Sequence, residues 1–232
     1  MYLSRINLNS KSIKVRKDLS DCYQMHKTVL IGFPQKKKIK NSRESARSQF
    51  DILYRIEESI NNNKIFLLVQ SNTEPDWIKL PKGYILENEG NKEFIIKNIE
   101  ALLLKIIKNS VFRFKLRANP TQKKFDKESK KAMRIPLVND HDQIEWLKRK
   151  GKLHGFRILS LNQNIPNTSV REEMIYHGKK RENNHVHTLT FYSIVFEGLL
   201  GVLDEEKFRV ALKKGIGSGK GFGFGLITLA RP

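Results

Sequence analysis

Cysteine is nearly missing from this 232-residue chain, which has only Cys22. One thiol closes no internal disulfide and builds no cysteine-based zinc cluster. Free cysteine is among the most buried residue types, and Cys22 sits among apolar residues, so a packing role is expected for it. Acidic residues are scarce as well: 24 Asp and Glu stand against 44 Lys and Arg. Long apolar runs are also absent. The greasiest stretch, residues 101–107, is interrupted by Lys105 and falls far short of the ~20 residues a membrane helix needs. Polar residues follow Met1-Tyr2-Leu3 at once, which does not read as a secretory leader. A cytoplasmic location is the expectation.

What the chain has in excess is positive charge, a formal +20 with a pI near 10.0. Part of that is a Lys-, Ile- and Asn-rich composition. A charge of this size on so small a chain is still the footprint of a polyanion-binding protein, and nucleic acid fits best. A membrane surface fits less well, because no segment sets a basic face opposite a broad Trp, Phe and Leu face.

Hydrophobic periodicity gives the order of elements. Residues 2–9 alternate as a strand. Leu19, Cys22, His26, Val29, Leu30 and Phe33 recur at helical spacing, so one helix is expected over 19–33, ended by Gly32-Phe33-Pro34. Residues 35–49 read as a basic loop. Residues 50–57 and 64–70 read as a hairpin turning at Asn61-Asn62-Asn63. Residues 75–90 look irregular, and 94–107 fit a helix or a strand. The second half opens with a strand at 111–116. A basic loop or hairpin (121–134), a helix (140–150) and a strand (156–161) follow. Residues 162–184 look loop-rich. A strand bent near Gly198 or Gly201 spans 189–203, a short helix 204–214 and a last strand 222–229. The second half thus reads β-α-β-β-α-β, the ferredoxin-like order, and the first half is compatible with it. The expected class is α+β, two tandem ferredoxin-like (βαββαβ) domains with antiparallel sheets, at 1–108 and 109–232.

Two stretches carry candidate chemistry. The first is Gly215-Ile216-Gly217-Ser218-Gly219-Lys220-Gly221-Phe222-Gly223-Phe224-Gly225. Glycine backbone approaches a phosphate closely, and Lys220 adds a point charge. The loop runs from helix to strand, the reverse of a dinucleotide fingerprint, and no Ser or Thr follows Lys220 as a Walker loop requires. It reads either as a tight helix-to-strand turn or as a nucleic-acid backbone contact, which the charge favours. Phe222 and Phe224 read as core residues of one sheet face. The second stretch is Tyr23, His26 and Lys27, spaced i, i+3 and i+4 on the first helix. Histidine moves protons near neutral pH, a Tyr hydroxyl positions or assists it, and Lys holds a phosphate. Those groups suffice for attack of a ribose 2′-hydroxyl on the neighbouring phosphorus, with no metal. His26 also adjoins the apolar stripe, so a hydrogen-bonded core histidine stays open as a reading.

The other histidines are weaker candidates. His185 and His187 share a strand face but lack a third ligand, and His141, His154 and His177 look solvent-facing. Asp126, Glu128, Asp140 and Asp142 read as solvated or capping groups rather than a two-metal site. No metal and no small-molecule cofactor is expected. Arg117 joins the basic residues expected to hold RNA. So do Lys179, Lys180 and Arg181, read as a basic hairpin suited to the groove of a folded RNA.

The residues resemble the CasE family, the repeat-processing endoribonuclease subunit of the type I-E CRISPR surveillance complex Cascade. The resemblance runs the length of the chain. It rests on Met1-Tyr2-Leu3-Ser4, Tyr23-Gln24-Met25-His26 and Phe33-Pro34, then on residues 112–120, Phe-Arg-Phe-Lys-Leu-Arg-Ala-Asn-Pro. It continues through Arg134-Ile135-Pro136-Leu137, Gln143-Ile144-Glu145-Trp146-Leu147 and the glycine loop. It implies two ferredoxin-like domains. It implies cleavage at the base of a repeat hairpin, leaving a 2′,3′-cyclic or 3′ phosphate and a 5′-hydroxyl. His26 would be the catalytic histidine and Tyr23 its companion. CRISPR repeat RNA and other Cascade subunits would be the partners. A non-cleaving RNA-binding subunit of the same complex is the alternative.

Overall fold

The computed structural model describes residues 1–34, 46–59, 64–126, 131–160, 167–182 and 185–232. The expected basic loop from Lys36 to Arg43, the Asn61-Asn62-Asn63 turn, Glu128 and Lys130 lie outside them. The chain divides into two compact units. The first comprises 1–104, 176–190 and 221–223, the second 105–175, 191–220 and 224–232.

The first unit begins with β1 (Tyr2–Asn7), α1 (Ile13–Ser20), α2 (Cys22–Ile31) and the short α3 (Ala46–Gln49). It continues with β2 (Leu53–Glu58), β3 (Ile65–Ser71), the two-residue strands β4 (Glu87–Asn88) and β5 (Asn91–Lys92), β6 (Phe94–Asn98) and α4 (Glu100–Leu104). The sheet order is β2-β3-β1-β6, all antiparallel. This is the ferredoxin-like order, with a single 3₁₀ turn at Trp77–Lys79 in place of a full second helix. The helix expected over 19–33 is two helices. Asp21 breaks the run: its backbone is extended (φ −139°) and its carboxylate accepts from the Tyr23 and Gln24 N–H groups at 2.9 and 3.2 Å. A short carboxylate that satisfies orphan donors starts a helix rather than continuing one. The ambiguous 94–107 segment resolves as β6 followed by α4.

Apolar faces of the sheet and helices meet in a core that includes Ile6, Val15, Met25, Val29, Tyr54 and Trp77. Phe33 stacks on Phe50 at 5.8 Å and meets Trp77 edge-on at 5.7 Å, which closes the end of α2. Asp18 is buried on α1 yet paired: Lys14 Nζ lies 2.5 Å from it, and the Tyr84 hydroxyl donates to its other oxygen at 2.9 Å.

The second unit contains β7 (Val111–Ala118), β8 (Thr121–Asp126), β9 (Lys131–Pro136), α5 (Asp140–Leu153) and β10 (Phe156–Ile158). β11 (Thr168–Glu182) and β12 (His185–Val202) follow, with their residues from 176 to 190 counted in the first unit, and then α6 (Glu205–Lys214) and β13 (Ile227–Ala230). The sheet order is β10-β12-β7-β13, again ferredoxin-like, with β11 added on β12. The expected loop at 162–184 is corrected: residues 168–182 form a strand. Its polar sequence hid this, because a two-stranded ribbon needs main-chain bonds rather than an apolar face. The last strand begins at Ile227, after a 3₁₀ turn at Lys220–Phe222, rather than at Phe222. Phe114, Leu116, Trp146, Leu147, Phe196, Phe208 and Phe224 are buried in this unit. Among the described residues, no helix is long and apolar enough to cross a membrane.

Candidate active site

His26 lies mid-way along α2, half-buried, at the edge of the face that packs Met25 and Val29 inward. The sequence leaves open whether the ring joins the core. The ring sits at the margin and meets the glycine loop instead. It donates to the backbone of Gly221 and packs on Phe222 at 5.6 Å between centroids. A methyl group on Gly221 would stand 3.5 Å from His26 Cε1, 3.6 Å from Nδ1 and 3.6 Å from Arg47 Cδ. The His26 ring and the Arg47 side-chain stem therefore both lie against the side-chain-free backbone of Gly221.

The electrostatics follow from that packing. Burial holds the His26 pKa below its ordinary value; the bond to Gly221 opposes this, and the Arg47 charge adds to it. Arg47 is half-buried, with Nη1 donating to the Ile52 carbonyl at 3.4 Å, and burial lowers its own pKa against the pull of Asp51. Tyr23 and His26 rings lie 6.4 Å apart, tilted by 32°. Lys27 is exposed, with Nζ 5.3 Å from the Tyr23 ring centre. Beneath α2, the buried Tyr54 hydroxyl donates to the Cys22 carbonyl at 3.5 Å. Burial, then the Asp21 charge, pushes the Cys22 thiol up to about 12, which keeps it neutral and suits its packing role.

The expected site residues fall into four groups. Tyr23, His26, Lys27 and Gly221 come together. Gly215, Gly217, Ser218, Gly219 and Lys220 belong to the second unit; Gly215 is buried and the other four half-buried. Lys179 is exposed on β11, Lys180 is half-buried there, and Arg181 lies in the same strand by its backbone. Arg117 is 5% exposed, enclosed in the sheet between Leu116 and Ala118. The expectation that Phe222 and Phe224 share one core face fails: Phe224 is buried in the second unit, and Phe222 packs on His26 in the first. His154 is half-buried rather than solvent-facing. Among the described residues, no group of three or more His, Cys, Asp or Glu is placed to hold a metal ion.

Sequence reasoning misses Arg47 as a site residue. It lies 21 positions beyond His26 in a stretch that reads as generic basic loop, and no spacing rule links the two. It misses Gly178 too. β11 passes so close to the start of α2 that a methyl group there would stand 3.1 Å from the Tyr23 amide nitrogen.

Comparison with known proteins agrees with this architecture. The model of the family described as CRISPR associated protein matches residues 1–231. The CRISPR-associated endoribonuclease Cse3 of Thermus thermophilus is 28% identical over 232 residues, covering 99% of this chain and 100% of that one. The Cascade subunit CasE of Escherichia coli is 26% identical over 237 residues, covering 99% of both chains. A solved structure of Cse3 bound to 19 nt RNA superposes with a TM-score of 0.77 at 29% identity, covering 99% of this chain and 100% of the other. The chain belongs to the CRISPR-associated protein family, on its CasE branch.

Proposed function

We propose that the protein is a metal-independent endoribonuclease that binds the hairpin of CRISPR repeat RNA, cuts it, and stays with the product as a Cascade subunit in the cytoplasm. The observation that carries this reading is the convergence of His26, Arg47 and Gly221. Each supplies one requirement of 2′-hydroxyl attack: a proton acceptor, a cation for the developing charge, and backbone that a phosphate can approach.

His26, whose ring meets the Gly221 backbone, is the group assigned as proton acceptor. The depressed pKa keeps the ring neutral near pH 7. His26 then takes the proton of the attacking 2′-hydroxyl. The new 2′-O–P bond forms as the P–O5′ bond breaks, leaving a 2′,3′-cyclic phosphate and a 5′-oxygen that takes a proton from solvent water, while His26 keeps the proton of the 2′-hydroxyl. Tyr23, whose ring lies 6.4 Å from that of His26, is assigned the hydrogen bond to that leaving oxygen. Arg47 lies beside His26, where charge builds on the phosphorane oxygens. Lys27 stands over Tyr23 and orients it. The glycine loop and the basic residues of β11 hold the RNA backbone, which gives affinity and register without reading bases.

Single-turnover cleavage of the chain's own repeat hairpin in EDTA tests the proposal. Wild type cuts at the same rate with and without chelator, and His26→Ala binds RNA but does not cut. Equal rates for His26→Ala and wild type overturn the assignment. Tight binding with no cutting by wild type identifies the non-cleaving subunit instead. Loss of wild-type cutting in EDTA overturns metal independence.

A further inference from the structure

In the second unit a cleft of about 440 Å³ lies against Trp146, lined by Lys123, Arg134, Lys150, Lys220 and residues 217–219 of the glycine loop. No carboxylate lines it among the described residues. Lys123 and Arg134 are direct cross-strand partners on the β8–β9 hairpin, and both are exposed. Like charges held opposite each other on a ribbon are destabilising, and opposite signs at such a pair are favoured. Lys150 extends the cluster from α5, with its Nζ 5.7 Å from the Trp146 ring centre. Burial first, then the Arg149 and Arg134 charges, lower its pKa. One turn on, His154 is held below its ordinary pKa by burial, then by Lys150 and Lys220.

The wall opposite the hairpin is preformed. Gly217 and Gly219 both adopt positive φ (+88° and +74°), which only glycine takes without strain. A methyl group on Gly217 would stand 3.1 Å from the Trp146 indole, so the loop lies against that ring. The Ser218 hydroxyl donates to the Asn119 carbonyl at 3.3 Å and pins the turn. Four cationic side chains thus line one cleft beside a fixed loop, an arrangement suited to an anion.

We infer that this cleft, lined by Lys123, Arg134, Lys150 and Lys220, binds a second, non-scissile backbone phosphate of the RNA. The inference rests on the RNA-cleaving reading and deepens it. A phosphodiester fits better than a small free anion for two reasons. The cations stand on three separate elements around an open cleft, which suits a passing strand rather than an enclosed ion. Lys220 also directly precedes Gly221 in the sequence, so an RNA strand rather than a free anion is the ligand that both would share. The cleft would fix register: a phosphate held at a set number of nucleotides from the cut decides which bond reaches His26.

The test is the salt dependence of binding by the full-length chain, with repeat hairpin RNA and with unrelated single-stranded RNA. The variant is Lys123→Gln with Arg134→Gln, both on an exposed hairpin, so the fold is spared. Thermal unfolding checks this, and Lys123→Arg with Arg134→Lys serves as a charge-keeping control. The glutamine variant should lose about tenfold in affinity, and its log K against log salt slope should shrink by about 1, since one phosphate contact contributes roughly 0.7–0.9. The control keeps both. A scan of single methylphosphonates along the repeat RNA locates the phosphate: one position away from the cut weakens wild type and leaves the glutamine variant unaffected. An unchanged slope, or methylphosphonate losses identical in wild type and variant at every position, overturns the inference. Wild-type protein that shows the slope change but never cuts RNA leaves the cleft standing and sinks only the nuclease reading.

Discussion

Gly178 and Cys22 touch at a distance no other residue at 178 would allow: a methyl group on the glycine would stand 2.8 Å from the cysteine Sγ. It would also meet Asp21 Oδ1 at 3.3 Å, the carboxylate that caps α2. The first turn of the helix bearing Tyr23 and His26 is therefore braced by the strand carrying Lys179. Gly178→Ala is expected to lower unfolding free energy by about 1–3 kcal/mol, the cost of overpacking a filled site. Removing the sulfur should return part of that loss. Denaturant unfolding of the two single variants and of Gly178→Ala with Cys22→Ala checks this, and additive losses would show that the contact does not matter.

The two cations near His26 should behave differently. Arg47 shares the Gly221 contact with His26, whereas Lys27 faces the Tyr23 ring. Arg47→Ala is expected to slow single-turnover cleavage by about 10²–10³, the scale of losing one group aimed at developing charge. Arg47→Lys should recover part of the rate. Lys27→Ala should cost roughly tenfold or less, since its action runs through Tyr23. RNA affinity measured alongside separates chemistry from binding. A larger loss at Lys27 than at Arg47 would reverse the assignment.

The difference between Arg47 and Lys27 also shows what the sequence reveals. Tyr23, His26 and Lys27 are legible because helical spacing alone puts them side by side. The ferredoxin order is legible because the strands that build the second sheet carry apolar residues and turn signals of their own. Arg47 is not legible, because fold topology rather than spacing brings it to His26. The strand at 168–182 is hidden because its polar run shows no apolar alternation. The break at Asp21 is hidden because the apolar stripe runs on through it, and only the carboxylate's bonds to Tyr23 and Gln24 stop the helix. Sequence periodicity reports buried faces; it is silent on polar residues that meet across a fold.

Tyr84 gives a test of the scaffold behind α2. Its buried hydroxyl donates to Asp18, whose side chain is fully enclosed and whose other oxygen pairs with Lys14. Burial, with the Asp18 charge and hydrogen bond, pushes the Tyr84 pKa far above its ordinary value, so it stays a donor throughout. Tyr84→Phe leaves a buried carboxylate oxygen short of a partner and should cost about 1–3 kcal/mol. Asp18→Asn keeps the shape and removes the charge, and should cost less when combined with Tyr84→Phe than in wild type. Denaturation midpoints at constant m-value check both, and no interaction between the two changes would mean the bond is not formed in solution.

The depressed His26 pKa makes two linked predictions about pH. Its folded value lies below the ordinary 6.5, chiefly through burial, so the unfolded chain binds the proton more readily. Stability from this group is therefore present above pH 6.5 and lost as pH falls from there toward the folded pKa. His154 is shifted the same way and adds to the effect. Unfolding titrations should show wild type losing more stability than His26→Gln between about pH 7 and pH 5. Catalysis depends on the same ionisation. A neutral His26 accepts the 2′-hydroxyl proton, so the cleavage rate falls as pH drops through its pKa. Arg47 lowers that pKa, so Arg47→Ala should move the acidic limb of the rate profile to higher pH, apart from its effect on the maximum rate. Lys27→Ala should leave the limb in place. A limb that does not move in Arg47→Ala would separate the guanidinium from the imidazole. A rate that rises as pH falls would make His26 the acid instead of the base.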